Sequence, residues 1–287
     1  MTDPVVTLSD FFDRYPRWVV LTGAGISAGS GIPTYRDPKG NWLGATPILH
    51  QEFLQSQNKR QRYWGRSMVG WPGIRDAAPN QRHHALVSFE RAGRMEALIT
   101  QNVDRLHQRA GNEQVIDLHG RLDRVRCLDC SAGYERETIQ TELLRLNPHS
   151  TQGPSAARPD GDADLPEELV ARIRVPSCLA CGGLLMPDVV FFGGTIPKDR
   201  VNACERALTA ADAILAIGSS LQVYSGFRLC RQAVAQGKPL IIANEGITRA
   251  DEIATLKISE NALDLVSSIL EQQGILAPPN TLTATKA

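Results

Sequence analysis

The chain has 287 residues, 42% of them hydrophobic and 22% charged, which excludes a disordered or fibrous polypeptide and allows one large domain with a smaller module attached. Lys and Arg together number 31, as do Asp and Glu, so the net charge is zero and composition offers no basic footprint for nucleic acid. No apolar run reaches the roughly 18 residues of a membrane span, the N-terminus lacks the basic and apolar regions of a signal peptide, and Asp3, Asp10 and Asp13 argue against a transit peptide, so the expected compartment is the cytoplasm.

In chain order, the first apolar run is "WVVL" at 18–21. A short Val-rich run without strict alternation reads as a strand buried on both faces. Directly behind it, Gly23-x-Gly25-x-x-Ala28 has the spacing of a phosphate cradle. The first glycine permits a tight turn, the second lets a pyrophosphate approach the backbone, and the small third residue permits close helix–strand contact. The same triplet also describes a plain strand–helix turn.

A dehydrogenase would carry an acidic residue about 20 positions on, at the tip of its second strand. Residues 36–79 hold Trp42, Tyr63, Trp64 and Trp71 at helical spacing instead, and are expected to form a helical lid. Asn244 and Glu245, after a late strand, are the candidates for holding a ribose, and the departure counts against hydride transfer.

Further runs end in small polar clusters: "EALI" in Thr100-Gln101-Asn102, "QVIDL" in His119-Gly120, "DVVFF" in Gly193-Gly194, "AILAI" in Gly218-Ser219-Ser220, and "PLIIA" in Asn244-Glu245-Gly246. Helical patterns at 200–212 and 225–236 alternate with them. The expected fold is α/β, a doubly wound parallel (Rossmann-like) sheet with a smaller zinc-binding module and a helical lid. The Rossmann-like domain takes 1–35, 80–120 and 184–275, the lid 36–79, and the zinc module 121–183. A mobile loop is expected at 147–166 ("NPHSTQGPSAARPDGDADLP") and a disordered tail at 276–287. Ligands of such sheets bind beyond the carboxyl ends of the strands, where these polar clusters gather.

Two Cys-x-x-Cys pairs, Cys127 with Cys130 and Cys178 with Cys181, supply four thiolates, the set of a structural zinc. Gly182-Gly183 after the second pair give the turning freedom a zinc knuckle uses. Four sulfurs close the metal shell, so the metal holds the module together and does no catalysis. Cys204 and Cys230 lie on helical patterns and read as packing residues. His119, at a strand tip beside the crevice, is then free of the metal, and imidazole suits proton transfer near neutrality.

The ordered set "GAGISAGSGIPTYRD", "TQNVDRLH", "LHG", the paired Cys-x-x-Cys, "MPDVVFFGG", "GSSLQV" and "ANEG" resembles the sirtuins, the NAD-dependent protein lysine deacylases, over about residues 15–270. The segments "RYWGR…GWP" and "TRADEIATLK" are similar to the class II, mitochondrial-type members. The resemblance implies that NAD is consumed as a co-substrate. The acyl-lysine oxygen attacks C1′ of the nicotinamide ribose and expels nicotinamide, and His119 acts as general base on a ribose hydroxyl, leading to free lysine and O-acyl-ADP-ribose.

It further implies that Asn102 and Asp104 work in the nicotinamide pocket and join His119 as catalytic residues. Gly23, Ala24, Gly25, Ser27, Pro33, Tyr35, Arg36 and Gln101 would contact the dinucleotide, as would Gly218, Ser219, Ser220, Asn244, Glu245, Gly246 and Ala262. Arg36 belongs to a loop that closes over it. An acylated-lysine peptide or protein would add as a strand between Val189, Val190, Phe191 and Phe192 on one side and Leu221 and Val223 on the other. Tyr63 and Arg66 have the spacing used by relatives that take acidic acyl groups.

Three positions depart from the family pattern: Tyr35 stands where many relatives have Phe, Gly194 where many have Glu, and Ser225 where Pro is usual. The departure at Tyr35 is expected to bear on nicotinamide escape, those at Gly194 and Ser225 on the peptide groove. Partners are acylated substrates, not nucleic acid or membrane, and the oligomeric state is left open, a monomer included. Two other classes use the same crevice, a mono-ADP-ribosyltransferase and a non-catalytic NAD- or ADP-ribose-sensing module.

Overall fold

The computed structural model of the protein describes residues 4–43, 47–148, 165–259, 264 and 266–269. Most of the expected mobile loop (149–164), the expected disordered tail 276–287 and Ala262 lie outside them.

The elements in chain order are α1 (Pro4–Arg14), β1 (Trp18–Thr22), α2 (Ala24–Ser27), α3 (His50–Gln55), α4 (Gln57–Asp76), α5 (Gln81–Arg91), β2 (Met95–Thr100), α6 (Leu106–Ala110) and β3 (Val115–Asp117). There follow β4 (Gly120–Cys127), β5 (Gly133–Glu135), α7 (Arg136–Leu146), α8 (Glu167–Val170), β6 (Leu185–Val189), α9 (Lys198–Ala210), β7 (Ala213–Ile217), α10 (Tyr224–Ala235), β8 (Leu240–Ala243) and β9 (Leu256–Ile258).

Six strands form one parallel sheet in the order β3-β2-β1-β7-β8-β9. Every residue of β1, β7 and β8 is buried, as continuous apolar runs require. Successive side chains feed two separate cores. Trp18 and Val20 pack with Phe12 of α1 and Phe89 of α5, while Val19 and Leu21 pack with Leu208 of α9 and Leu229 of α10. The chain winds outward from β1 through β2 and β3, then outward the other way from β7. The strand order therefore reverses between β1 and β7, and a crevice opens there beyond the strand ends.

A second, antiparallel sheet has the order β5-β4-β6. This corrects the reading of "DVVFF" as a strand of the main sheet. β6 ends at Val189 on the small sheet, where Pro187 lacks an N–H and suits an edge position. The chain then runs along the crevice, with Val190 N–H donating to His119 O at 2.8 Å. β9 is an edge strand of three residues that begins at the end of the "TRADEIATLK" segment, too short for apolar periodicity to reveal.

The lid helices and the cysteine module share one core. Phe53 of α3 and Trp64 and Met68 of α4 pack with Val125, Cys127, Ile139, Leu143 and Leu185. Arg136 of α7 is buried with its guanidinium over the rings of Trp64 (5.6 Å) and Trp71 (5.3 Å). Its Nη2 donates to Ser67 O at 3.2 Å and Oγ at 3.1 Å, so α7 is fastened to α4 through a desolvated cation.

Candidate active site and metal centre

The turn after β1 is built from missing side chains. A Cβ on Gly23 would stand 2.7 Å from Ser219 Cβ, and one on Gly25 would stand 2.8 Å from Gly218 O. The two glycines therefore let the β1 and β7 loops touch, with Gly25 N–H donating to Gly218 O at 2.8 Å. Space expected for a pyrophosphate at Gly25 is taken, on its Cβ side, by the Gly218 backbone. The helix behind the turn is a single turn, α2, continued by a 3-10 turn to Ser30 and stopped by Gly31 in the left-handed region (φ 82°). Three glycines among residues 25–31 leave little helix propensity for more.

From the β2 tip, Asn102 Nδ2 donates to Gly23 O and to Ser27 Oγ, both at 3.1 Å. Asp104 accepts from Ser27 Oγ at 2.7 Å and from Leu106 N–H at 2.9 Å. Burial pushes the Asp104 carboxyl above the usual carboxylate range, against these two donors. Asp104 and Ser27 support the cradle from beneath and, like Pro33, do not line the cavity. Asn102 does.

His119 follows β3. Its Nδ1 lies 3.1 Å from Gln101 O, and its Nε2 lies 2.7 Å from Ser225 Oγ. A carbonyl only accepts, so Nδ1 carries the proton and Nε2 the lone pair in the neutral ring. Burial pushes the imidazole pKa below its ordinary 6.5, the Gln101 hydrogen bond opposes this, and the Arg200 charge adds to it. The ring is thus neutral near pH 7 and arranged as a base. Gln101 also reaches across the crevice, its Nε2 donating to Ser219 Oγ at 2.7 Å.

The cavity measures about 550 Å³. It is lined by Gly23, Ala24, Gly218, Ser219, Ser220, Asn244, Glu245 and Gly246, together with Gln101, Asn102 and His119. Tyr35 and Arg36 cover it, on a loop held down at Ile247 N–H, which donates to Pro38 O at 3.1 Å. A Cβ on Gly246 would stand 2.4 Å from the same oxygen, so the docking needs a glycine there. Arg36 lies 4.9 Å from the Trp42 ring and donates to Gly40 O at 2.7 Å. Val189, Val190, Phe191 and Phe192, Leu221 and Val223, and Tyr63 and Arg66 of α4 line the same cavity. The expected contacts among the described residues thus line one cavity, apart from Ser27 and Asp104, which are buried behind it, and the half-exposed Pro33. The sequence reading gave no role here to Thr34, Ile48, Leu122 or Ile196, whose apolar or small side chains carry no chemical signal, and none on the imidazole to Ser225.

The four cysteines form the candidate metal centre. Their Sγ atoms all lie within 4.8 Å of one another, with Cys127–Cys181 at 3.6 Å and Cys130–Cys178 at 3.7 Å. A tetrahedron of Zn–S bonds of about 2.3 Å has edges of roughly 3.8 Å, so the residues fit zinc. Tyr134 Oη accepts from Ala180 N–H at 3.2 Å and so donates to Cys178 Sγ at 3.0 Å, which holds that thiol down to about 6. Cys181, although the Gly183 N–H favours its thiolate, is pushed up to about 12 by the Cys130 and Cys127 sulfurs beside it. A cation is what lets such a cluster lose all four protons. No His, Asp or Glu joins the cluster among the described residues, so His119 stands outside the metal shell.

Comparison with known proteins agrees with this geometry. The family model described as "Sir2 family" matches residues 23–225. An NAD-dependent protein deacetylase of Xanthomonas axonopodis pv. citri is 51% identical over 255 residues, 89% of this chain and 87% of the relative. An NAD-dependent protein deacetylase of Bradyrhizobium diazoefficiens is 50% identical over 254 residues, 88% of this chain and 93% of the relative. A solved Sir2 with p53 peptide and NAD+ superposes with a TM-score of 0.73 at 32% identity, covering 94% of this chain and 98% of the other. A Sir2 variant with deacetylated p53 peptide and 3′-O-acetyl-ADP-ribose gives 0.76 at 30%, covering 96% and 100%.

Proposed function

Because the chain belongs to the Sir2 family, we propose that it is an NAD-dependent protein lysine deacylase that moves the acyl group from lysine to ADP-ribose. The observation that carries the reading is His119: a neutral imidazole, anchored at Nδ1, with Nε2 on the cavity side and outside the four-sulfur cluster found among the described residues. A sensing module has little need of a base placed there.

NAD is the co-substrate and supplies an anomeric carbon that exchanges nicotinamide for the acyl oxygen. The chain's residues do the rest. The Gly23–Ala24 turn and the 218–220 and 244–246 loops bind the dinucleotide, the Tyr35–Arg36 loop covers it, and Asn102 and Asp104 set the cradle's shape. His119 takes a proton at Nε2 from a ribose hydroxyl, which frees that oxygen to accept the acyl carbon. The acylated peptide lies as an extended strand between 189–192 and 221–223, where the backbone offers hydrogen bonds from both sides. Zinc, held by Cys127, Cys130, Cys178 and Cys181, serves as a cross-link. The same proposal sets the reaction in the cytoplasm, where cysteines stay reduced and available to a metal, and includes the likeness to class II members.

The test is mass spectrometry of acetylated peptide incubated with the protein and NAD. The expected outcome is acyl loss matched by nicotinamide and O-acyl-ADP-ribose. A peptide that gains ADP-ribose would make the protein a transferase, and an unchanged peptide a sensor.

A second reading concerns the acyl chain. Arg66 is 6% exposed and lines the cavity beside Tyr63, whose ring packs 5.3 Å from that of Phe191. A buried guanidinium in the cavity lining, with Tyr63 and Phe191 also in that lining, suits an acyl group that ends in a carboxylate. Arg66→Met should then lower kcat/KM for succinylated peptide at least about tenfold more than for acetylated peptide. Equal losses on both would leave Arg66 a packing residue.

A further inference from the structure

Ser225 is the second residue of α10 and is half-buried in the cavity wall. Its Oγ lies 2.7 Å from His119 Nε2. With the ring proton on Nδ1, facing Gln101 O, the serine hydroxyl must be the donor. The lone pair on which the chemistry of His119 depends is therefore engaged before any substrate arrives. The next residue, Gly226, completes the contact: a Cβ there would stand 2.7 Å from Oε1 of Gln101, the residue whose carbonyl anchors Nδ1. The start of α10 thus touches both sides of the imidazole, one directly and one through Gln101.

We propose that Ser225 is a positioning residue whose hydroxyl stands in for the substrate hydroxyl in the free protein and hands Nε2 over to it on binding. The inference rests on the deacylase reading only for the identity of that hydroxyl as a ribose OH. Exchange of one O–H donor for another leaves the ring's tautomer and plane unchanged, so the base is ready without reorganisation. In the step that follows, the proton passes from the substrate oxygen to Nε2, while the serine proton stays on Oγ and no second transfer is needed.

Charged groups near the ring are few. Arg200 of α9 acts on it and is paired with Asp188 of β6 at 3.4 Å; Asp117 of β3 is paired with Arg105. Ser225 is the hydrogen-bond partner of Nε2 among the described residues.

The test uses Ser225→Ala and Ser225→Thr in the full chain, both compatible with the first turn of a helix. In the ligand-free protein, ring 15N NMR follows His119 protonation, with His119→Ala to assign the signal. Loss of a donor that favours the neutral ring should raise the midpoint in Ser225→Ala by roughly 0.5–1 pH unit, and the threonine hydroxyl should restore it. An unchanged midpoint in the alanine variant overturns the contact, as does a threonine variant that behaves like alanine. The acidic limb of kcat/KM for NAD, which reports the free enzyme, should move up in Ser225→Ala while that of kcat, which reports the complex, stays in place. Equal movement of both limbs would mean that Ser225 keeps its bond in the complex and would overturn the hand-over. The NMR arm needs no turnover, so a shifted midpoint in a protein that deacylates nothing would sink the functional reading and leave the contact standing.

Discussion

At the scale of single residues, His119 is held by partners that arrive from two directions. Gln101 precedes it by 18 positions, and Ser225 follows by 106. Replacing the imidazole removes the base without touching the main cores, to neither of which it belongs. His119→Ala should lower deacylation by about 10²–10⁴-fold with an unchanged far-UV spectrum and melting temperature. Retained turnover would dismiss it as the base. Its candidacy was legible from a strand tip followed by glycine. The role of Ser225 was not, because nothing in "YSGF" says that the first turn of a helix faces a histidine more than 100 residues away. The departure from Pro at that position pointed toward the peptide groove, and the structure adds a contact of its hydroxyl with the imidazole.

At the scale of elements, the metal centre and the lid are coupled through a shared core. Cys127 packs in the same cluster as Trp64 and Met68 of α4, and Gln140 of α7 donates to Met68 O at 2.7 Å. Loss of zinc should therefore loosen α4 as well as the β4–β6 sheet. Cys178→Ser is expected to lose zinc by elemental analysis, to melt more than about 5 °C lower, and to become open to proteolysis within 57–76. A variant that keeps one zinc per chain, or a chelated protein that melts as before, would show the four sulfurs are not the site. The cysteine spacing made the ligands legible, since a knuckle is a local structure. The fate of "DVVFF" was not legible: its apolar run suits a buried parallel strand and a small antiparallel edge equally, and pairing with β4 decided between them.

At the scale of the whole molecule, two buried histidines tie stability to pH. His83 of α5 and His107 of α6 lie with ring centroids 4.9 Å apart, beneath the strand ends, where His107 Nε2 meets Thr22 Oγ1 at 2.9 Å. Burial holds His83 down to about 4 and His107 well below its ordinary value. Above about pH 7 both are neutral folded or unfolded and add no pH dependence. As pH falls below 6.5, the unfolded chain binds protons that the folded one refuses, so stability drops until the folded pKa is reached. His83 alone should lower unfolding free energy by on the order of 2 kcal/mol between pH 7.5 and 5. Its Nδ1 accepts from Asn80 N–H at 3.2 Å in a helix-capping pair that glutamine can replace. Urea titrations of wild type and His83→Gln at the two pH values test this. The variant should lose less on acidification, and parallel losses would remove His83 from the account.

Fold class, crevice, the glycine turn and the thiolate set were determined by the sequence itself, because each rests on short spacing: apolar runs of strand length, two glycines behind the first, cysteine pairs with two residues between. Three matters were decided only by the tertiary structure: that Gly25 makes room for Gly218, that the lid and the cysteine module form one core, and that Ser225 meets His119. Each depends on how elements far apart in the chain lie against one another, and local periodicity specifies which face of an element is apolar without specifying which distant face it will meet.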